Sequence, residues 1–174
     1  PAVVVGEIPQ VTQTYARFDA AYPFMNEHQV GIGETTIGGK RELYNDQGML
    51  DIMALERLAL ERATTAREAI RIMGELATEY GYGDGGECLT VIDSEEAWMF
   101  EIFGAGPFEI GAVWAARRIP EGHIGVSANR SRITTLDLDD PDHYMASDNV
   151  FQVAQDMGWW DPESGGEFVF NEVY

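Results

Sequence analysis

Residues 124–133, IGVSANRSRI, place one carboxamide and two guanidinium groups (Asn129, Arg130 and Arg132) at the end of an alternating apolar run. A side-chain amide held rigidly by a sheet can donate to an oxygen that turns negative during acyl transfer. A guanidinium beside it can bind a carboxylate. Plainer readings fit the same residues: an asparagine at a strand end tolerates turn geometry, and the arginines could pair on the surface with acids such as Asp137. A second stretch, FMNEHQVGIGETTIGG (residues 24–39), sets polar residues on both sides of a glycine-bearing strand, where backbone amides can come close to a ligand. An edge strand ended by a glycine turn explains it nearly as well.

Other chemistry-bearing residues are weaker candidates. DLDDPDH (137–143) has the charge of a calcium loop, but Pro141 occupies the central place where such a loop needs glycine, so a solvated turn is expected. Cys88 sits in an apolar strand run with no neighbouring base and reads as a small buried residue. His28, His123 and His143 show no paired ligand spacing, and no metal or cofactor is expected. Trp98 and Trp114 fall in strand runs and are expected to fill the core. Pro1, if it were a natural terminus, could act as a base as in tautomerases; those pass from the first strand directly into a helix, and no helical pattern precedes residue 50 here.

The elements that must position these groups follow from periodicity. VTQTYARF (11–18) and VGIGETTI (30–37) alternate and read as strands. Residues 50–62 carry Leu50, Met53, Ala54, Leu58 and Leu60 near helical spacing. Thr65 followed by Glu68 has the form of a capping box and opens a second helix running to about Tyr80, stopped by Gly81 and Gly83. CLTVID, AWMFEIF, AVWAARRI and HIGVSAN (88–93, 97–103, 112–119, 123–129) then suggest a four-strand meander. A short helix near NVFQVAQDMG (149–158), a loop at WWDPESGG (159–166) and a strand-like EFVFNEVY (167–174) complete the chain. Helices followed by strands indicate an α+β layered fold.

Bulk properties limit the function classes. The 174 residues suit one domain, 1–174, and 45% apolar content against 24% charged is enough to form a core. A formal charge of −19 repels a phosphate backbone, so nucleic acid is not an expected partner. No apolar run approaches the roughly 20 residues of a membrane span, and PAVVVGEIPQ lacks the pattern of a secretory leader. The segment carries no address of its own; a cytoplasmic location is favoured. One cysteine excludes an internal disulfide.

The strings FMNEHQVGIGETTIGG, TAREAI, GYGDGGECLTVID, GAVWAARRIPEGHIGVSANRSRI, DLDDPDHYMASDNV and MGWWDPESG together resemble the dipeptidase A family of cysteine peptidases, N-terminal-nucleophile hydrolases related to secernin and to the penicillin and bile-salt acylases. The resemblance covers essentially the whole chain. It implies an αββα sandwich, incomplete at both ends here, and hydrolysis of dipeptides by acyl transfer to an N-terminal cysteine whose own amine is the base. It also implies that Asn129 donates its side-chain amide to the oxyanion and that a backbone amide near Thr36 is the second donor. Glu34, Thr35 and Arg130 would contact substrate. A homo-oligomer is expected of the full-length protein.

In that family the nucleophile would lie upstream of Pro1, and the internal Cys88 has no free α-amine to replace it. The chain is therefore expected to be an internal part of a longer hydrolase; the alternative from another class is a non-catalytic binding or assembly module on the same scaffold. The expected outcome is that the isolated 174 residues do not hydrolyse dipeptides in an amino-acid release assay. Turnover by the isolated chain at the rate of the full enzyme would contradict this.

Overall fold

The computed structural model describes residues 4–174, so Pro1 and any role for its amine lie outside the described residues. The order of elements is β1 (Gly31–Thr36), α1 (Ile52–Arg62), α2 (Ala66–Tyr80), β2 (Glu87–Ile92), β3 (Ala97–Gly104), β4 (Ala112–Arg118), β5 (Tyr144–Ala146), α3 (Val150–Asp156) and α4 (Phe170–Val173). The strands form one antiparallel sheet in the order β1-β2-β3-β4-β5. The architecture is α+β. No helix among the described residues is long and apolar enough to cross a membrane.

Side chains alternate across a strand, so β3 serves two cores at once. Trp98, Phe100 and Ile102 enter the core formed with α1 and α2, beside Leu55, Leu60, Ile70 and Met73. Phe103, one position out of phase, enters a second core on the opposite face with Ile133, Val153, Phe170 and Tyr174. Trp98 is fully buried and Trp114 nearly so, as their place in apolar runs requires.

The two long helices are capped by side chains, α2 at the Thr65 signal read from the sequence and α1 at Asp51. Asp51 caps α1 by accepting from the Ala54 amide at 2.8 Å, and Thr65 caps α2 by accepting from the Glu68 amide at 3.2 Å. The reciprocal bond of the capping box is displaced by one residue: Glu68 accepts from the amide and hydroxyl of Thr64, at 2.7 and 2.9 Å, while Asp93 takes the Ala66 amide at 2.7 Å. Arg67 then fastens α2 to the sheet through Glu96, at 2.8 Å, with its guanidinium 4.7 Å from the Trp98 ring centroid.

Three expected strands are absent. Residues 11–18 make a single bridge, Arg17 to Asn26, and their apolar side chains mostly face solvent, because no partner strand lies along them. The run 123–129 is not a strand and does not close a meander. The edge of β4 that it would need is taken by β5, Ala115 opposite Ala146 and Arg117 opposite Tyr144, and Ile124 and Val126 are left 90% and 64% exposed. The C-terminal run forms α4 instead of a strand. Its Phe168/Phe170 alternation competes with the helical spacing of Phe170, Val173 and Tyr174, and the latter residues are buried together.

The core between sheet and helices also contains an ionisable group. Glu56 on α1 is fully buried, and neither carboxylate oxygen has a partner. Burial, with Glu34 and Asp51 nearby, pushes its carboxyl up from 4.5 to about 8. A carboxyl whose pKa is raised by folding supports stability below its unfolded value, and that support is lost as pH rises towards 8. Glu56→Gln is thus expected to match the wild type near pH 4.5 and to melt at higher temperature at pH 8, each kcal/mol relieved moving the midpoint by roughly 2–4 °C. Equal melting temperatures across that range, read by thermal denaturation, would show that Glu56 is not a buried charge.

Candidate active site

The end of β1 is held by an approach that only glycine allows. The amides of Ile37 and Gly38 both donate to the Gly86 carbonyl, at 2.9 and 3.1 Å, and a β-carbon on Gly86 would fall 1.8 Å from the Gly38 carbonyl oxygen. This contact sets which way the backbone of β1 faces. Ile37 sends its N–H towards the β2 side, whereas Ile32 sends its N–H outward to the Phe24 carbonyl at 3.0 Å. Because the two directions alternate along an antiparallel strand, Thr36 directs both its N–H and its C=O to the outer edge of β1.

Asn129 meets it there. Its Nδ2 donates to the Thr36 carbonyl at 2.8 Å, and its side chain is exposed. One amide hydrogen is used in that bond and one is left. The backbone of Asn129 has φ 54°, the left-handed conformation that asparagine tolerates better than most residues. The turn reading of this residue is met by that conformation, and the strand expected to carry it is replaced by an irregular crossing.

Both flanks of that crossing are fastened to the sheet. Upstream, Ser127 Oγ lies 2.9 Å from Thr35 Oγ1, which is also 3.3 Å from the Cys88 carbonyl. Downstream, the buried Glu101 carboxylate of β3 accepts from the Ser131 hydroxyl and from the amides of Arg132 and Ile133. Burial pushes Glu101 up, and these three donors pull it back towards the charged form. Glu101 and Ser127 are positioning residues that the sequence reading did not single out; a charge inside the apolar run AWMFEIF was the available signal. Asn26 is a further one. Its carboxamide donates to the carbonyls of Leu60 and Ala63 and accepts from the amides of His28 and Val30, tying the turn before β1 to the end of α1.

The remaining sequence candidates divide. Glu34 accepts from the Thr36 hydroxyl at 3.2 Å and so belongs to this end of β1. The Thr35 hydroxyl is occupied with the crossing. Arg130 lines a crevice of about 390 Å³ with Ile37, Gly38, Lys40 and Glu172; among the described residues neither it nor Arg132 forms an ion pair, with Asp137 or any other acid. Cys88 is buried, and burial pushes its thiol up to about 11, which leaves it protonated and unreactive. DLDDPDH forms a turn, its Asp139 amide on the Asp137 carboxylate and His143 on Asp140. A wider hollow of about 640 Å³ lies elsewhere, between α2 and the β4–β5 edge around Trp114 and Asn149, and contains none of the candidate residues.

The sequence profile described as peptidase family C69 matches residues 9–174. The chain belongs to peptidase family C69. It is similar to a protein named probable dipeptidase from Salmonella dublin, 34% identical over 121 residues, covering 70% of this chain and 26% of that relative. A probable dipeptidase from Latilactobacillus sakei is 34% identical over 131 residues, covering 72% of this chain and 26% of its own length. The C69 chain thus spans about a quarter of the length of the curated relatives it matches. The dipeptidase A resemblance read from the motifs is the family found.

If Glu101 anchors the crossing of this C69 chain, Glu101→Ala leaves three donors without an acceptor and destabilises by on the order of 3 kcal/mol. Hydrogen exchange should show protection lost at the amides of Arg132 and Ile133. Unchanged protection at those two amides would contradict the anchoring role.

Proposed function

We propose that this chain forms one wall of the active site of an N-terminal-nucleophile dipeptidase, in which Asn129 and Thr36 are the oxyanion donors. Membership of the C69 family supports the reading, but the observation that carries it is the meeting of the Asn129 amide with the outward-facing backbone of Thr36. The second hydrogen of Asn129 Nδ2 and the Thr36 N–H then lie side by side at one strand edge. Two fixed donors on one side of a carbonyl oxygen favour the tetrahedral, negatively charged state over the planar substrate.

In this mechanism a cysteine at the mature amino terminus, contributed by polypeptide outside this chain, attacks the peptide carbonyl. Its own α-amine takes the thiol proton and returns it to the leaving amino acid. Water then attacks the thioester, and the same two donors hold the second oxyanion. Arg130, at the adjoining crevice, meets the carboxylate of the dipeptide.

The layout of the sheet fits a sandwich in which a second sheet packs on the face opposite α1 and α2. Gly33 and Thr90 are exposed on that face, a β-carbon at Gly33 would meet nothing within 4 Å, and Ile92 is 38% exposed beside them. A sheet from the rest of the polypeptide would bury them.

In the full-length protein, Asn129→Ala should lower kcat for dipeptide hydrolysis by about 100- to 1000-fold, with KM changed little. An unchanged kcat would contradict the assignment.

A further inference from the structure

Beside Thr36, on the helix-facing side of the sheet, three glutamates converge. Glu34 lies two residues beyond the buried Ile32 on β1, and Glu87 two residues before the buried Leu89 on β2, so both point to the face covered by α1. Glu87 is the cross-strand partner of Thr36, so its side chain lies beside Glu34 and the Thr36 hydroxyl, which donates to Glu34 at 3.2 Å. Behind them Glu56 is fully buried with both oxygens unpartnered, and Glu34 is the charge it feels most. Glu87 is 5% exposed, and its Oε2 has no donor. The other charge acting on Glu87 is Asp84, again an acid.

Buried carboxylates whose oxygens lack donors favour a cationic occupant. Among the described residues no three acidic or metal-ligating side chains are spaced to hold a metal ion. An ammonium group places fewer demands on spacing and brings three donors of its own. Tyr22, 47% exposed, is near enough on the solvent side for the Glu34 charge to push its phenol up. In a dipeptide the α-nitrogen lies only about 2.5 Å from the carbonyl carbon under attack. Its seat must therefore adjoin the oxyanion donors, and Glu34 is one hydrogen bond away from the Thr36 side chain.

We propose that Glu34 and Glu87, with Glu56 behind them, seat the protonated α-amine of the substrate's first residue and so restrict the enzyme to peptides with a free amino terminus. The inference rests on the dipeptidase reading above and adds a specificity determinant to it. Carboxylates seat the ammonium, and the guanidinium of Arg130 meets the opposite end of the substrate.

The test uses the full-length protein, with alanylalanine and its N-acetyl derivative as substrates. Glu34→Gln and Glu87→Gln should each raise KM for alanylalanine about ten- to hundredfold while kcat at saturation stays within about threefold. The preference for the free over the acetylated peptide should fall by a similar factor. Retained kcat shows that a variant is folded; if Glu87→Gln does not fold, Glu34→Gln, at a half-buried position, carries the test. Alanylalanine hydrolysis with an unchanged KM and preference in Glu34→Gln would overturn the ammonium seat alone. A wild-type protein that hydrolyses neither peptide would overturn the dipeptidase reading and the seat together.

Discussion

A single 2.8 Å hydrogen bond, from Asn129 Nδ2 to the Thr36 carbonyl, joins two segments 93 residues apart in the chain. The arrangement around it has one geometric cause. An antiparallel strand alternates the direction of its peptide groups, and the paired bonds to Gly86 set that alternation so that Thr36 faces outward. A slip of one residue between β1 and β2 would turn Thr36 inward, and Asn129 would lose its partner. The glycine at position 86 thus fixes the direction of the Thr36 backbone as well as permitting the close approach.

The same end of the sheet gathers buried carboxylates. Glu101 offsets its burial with three donors from the crossing, so its charge is turned to structural use. Glu56 has no donor on either oxygen, and Glu87 has none on Oε2. Burial pushes both up. Apolar residues would pack these positions at lower cost, and the contrast with Glu101, whose charge is met by the crossing, is what the proposed ammonium seat accounts for. Unsatisfied polar groups at a strand end beside exposed amide donors are the pattern of a binding site that gives up some stability.

The local signals in the sequence were sufficient for α1 to α3 and for β1 to β4, because each has a readable period, and for α2 a capping and a glycine signal besides: Thr65 begins it and Gly81 stops it. The failures share a cause. VTQTYARF, HIGVSAN and EFVFNEVY have strand-like composition, but whether a run becomes a strand depends on a vacant neighbouring edge, which no local pattern encodes. The three-residue β5 was too short to show a period, yet it took the edge of β4 and left the 123–129 run without one. Asn129 was legible as a candidate from its type and surroundings, and its partnership with Thr36 was legible only through the family motifs. Glu101 and Glu56 were not singled out, although each stands as a charge within an apolar period. Their opposite degrees of satisfaction depend on which backbone crosses above them, a tertiary fact.

The central claim is that Asn129 and Thr36 together bind the oxygen of a tetrahedral intermediate. A crystal structure of the full-length protein with a dipeptide aldehyde bound to its nucleophile tests this most directly. The account predicts the hemithioacetal oxygen at about 2.7–3.1 Å from both Asn129 Nδ2 and the Thr36 amide nitrogen. An oxygen held by other groups, with Asn129 still bonded to Thr36 and pointing away from the inhibitor, would contradict it.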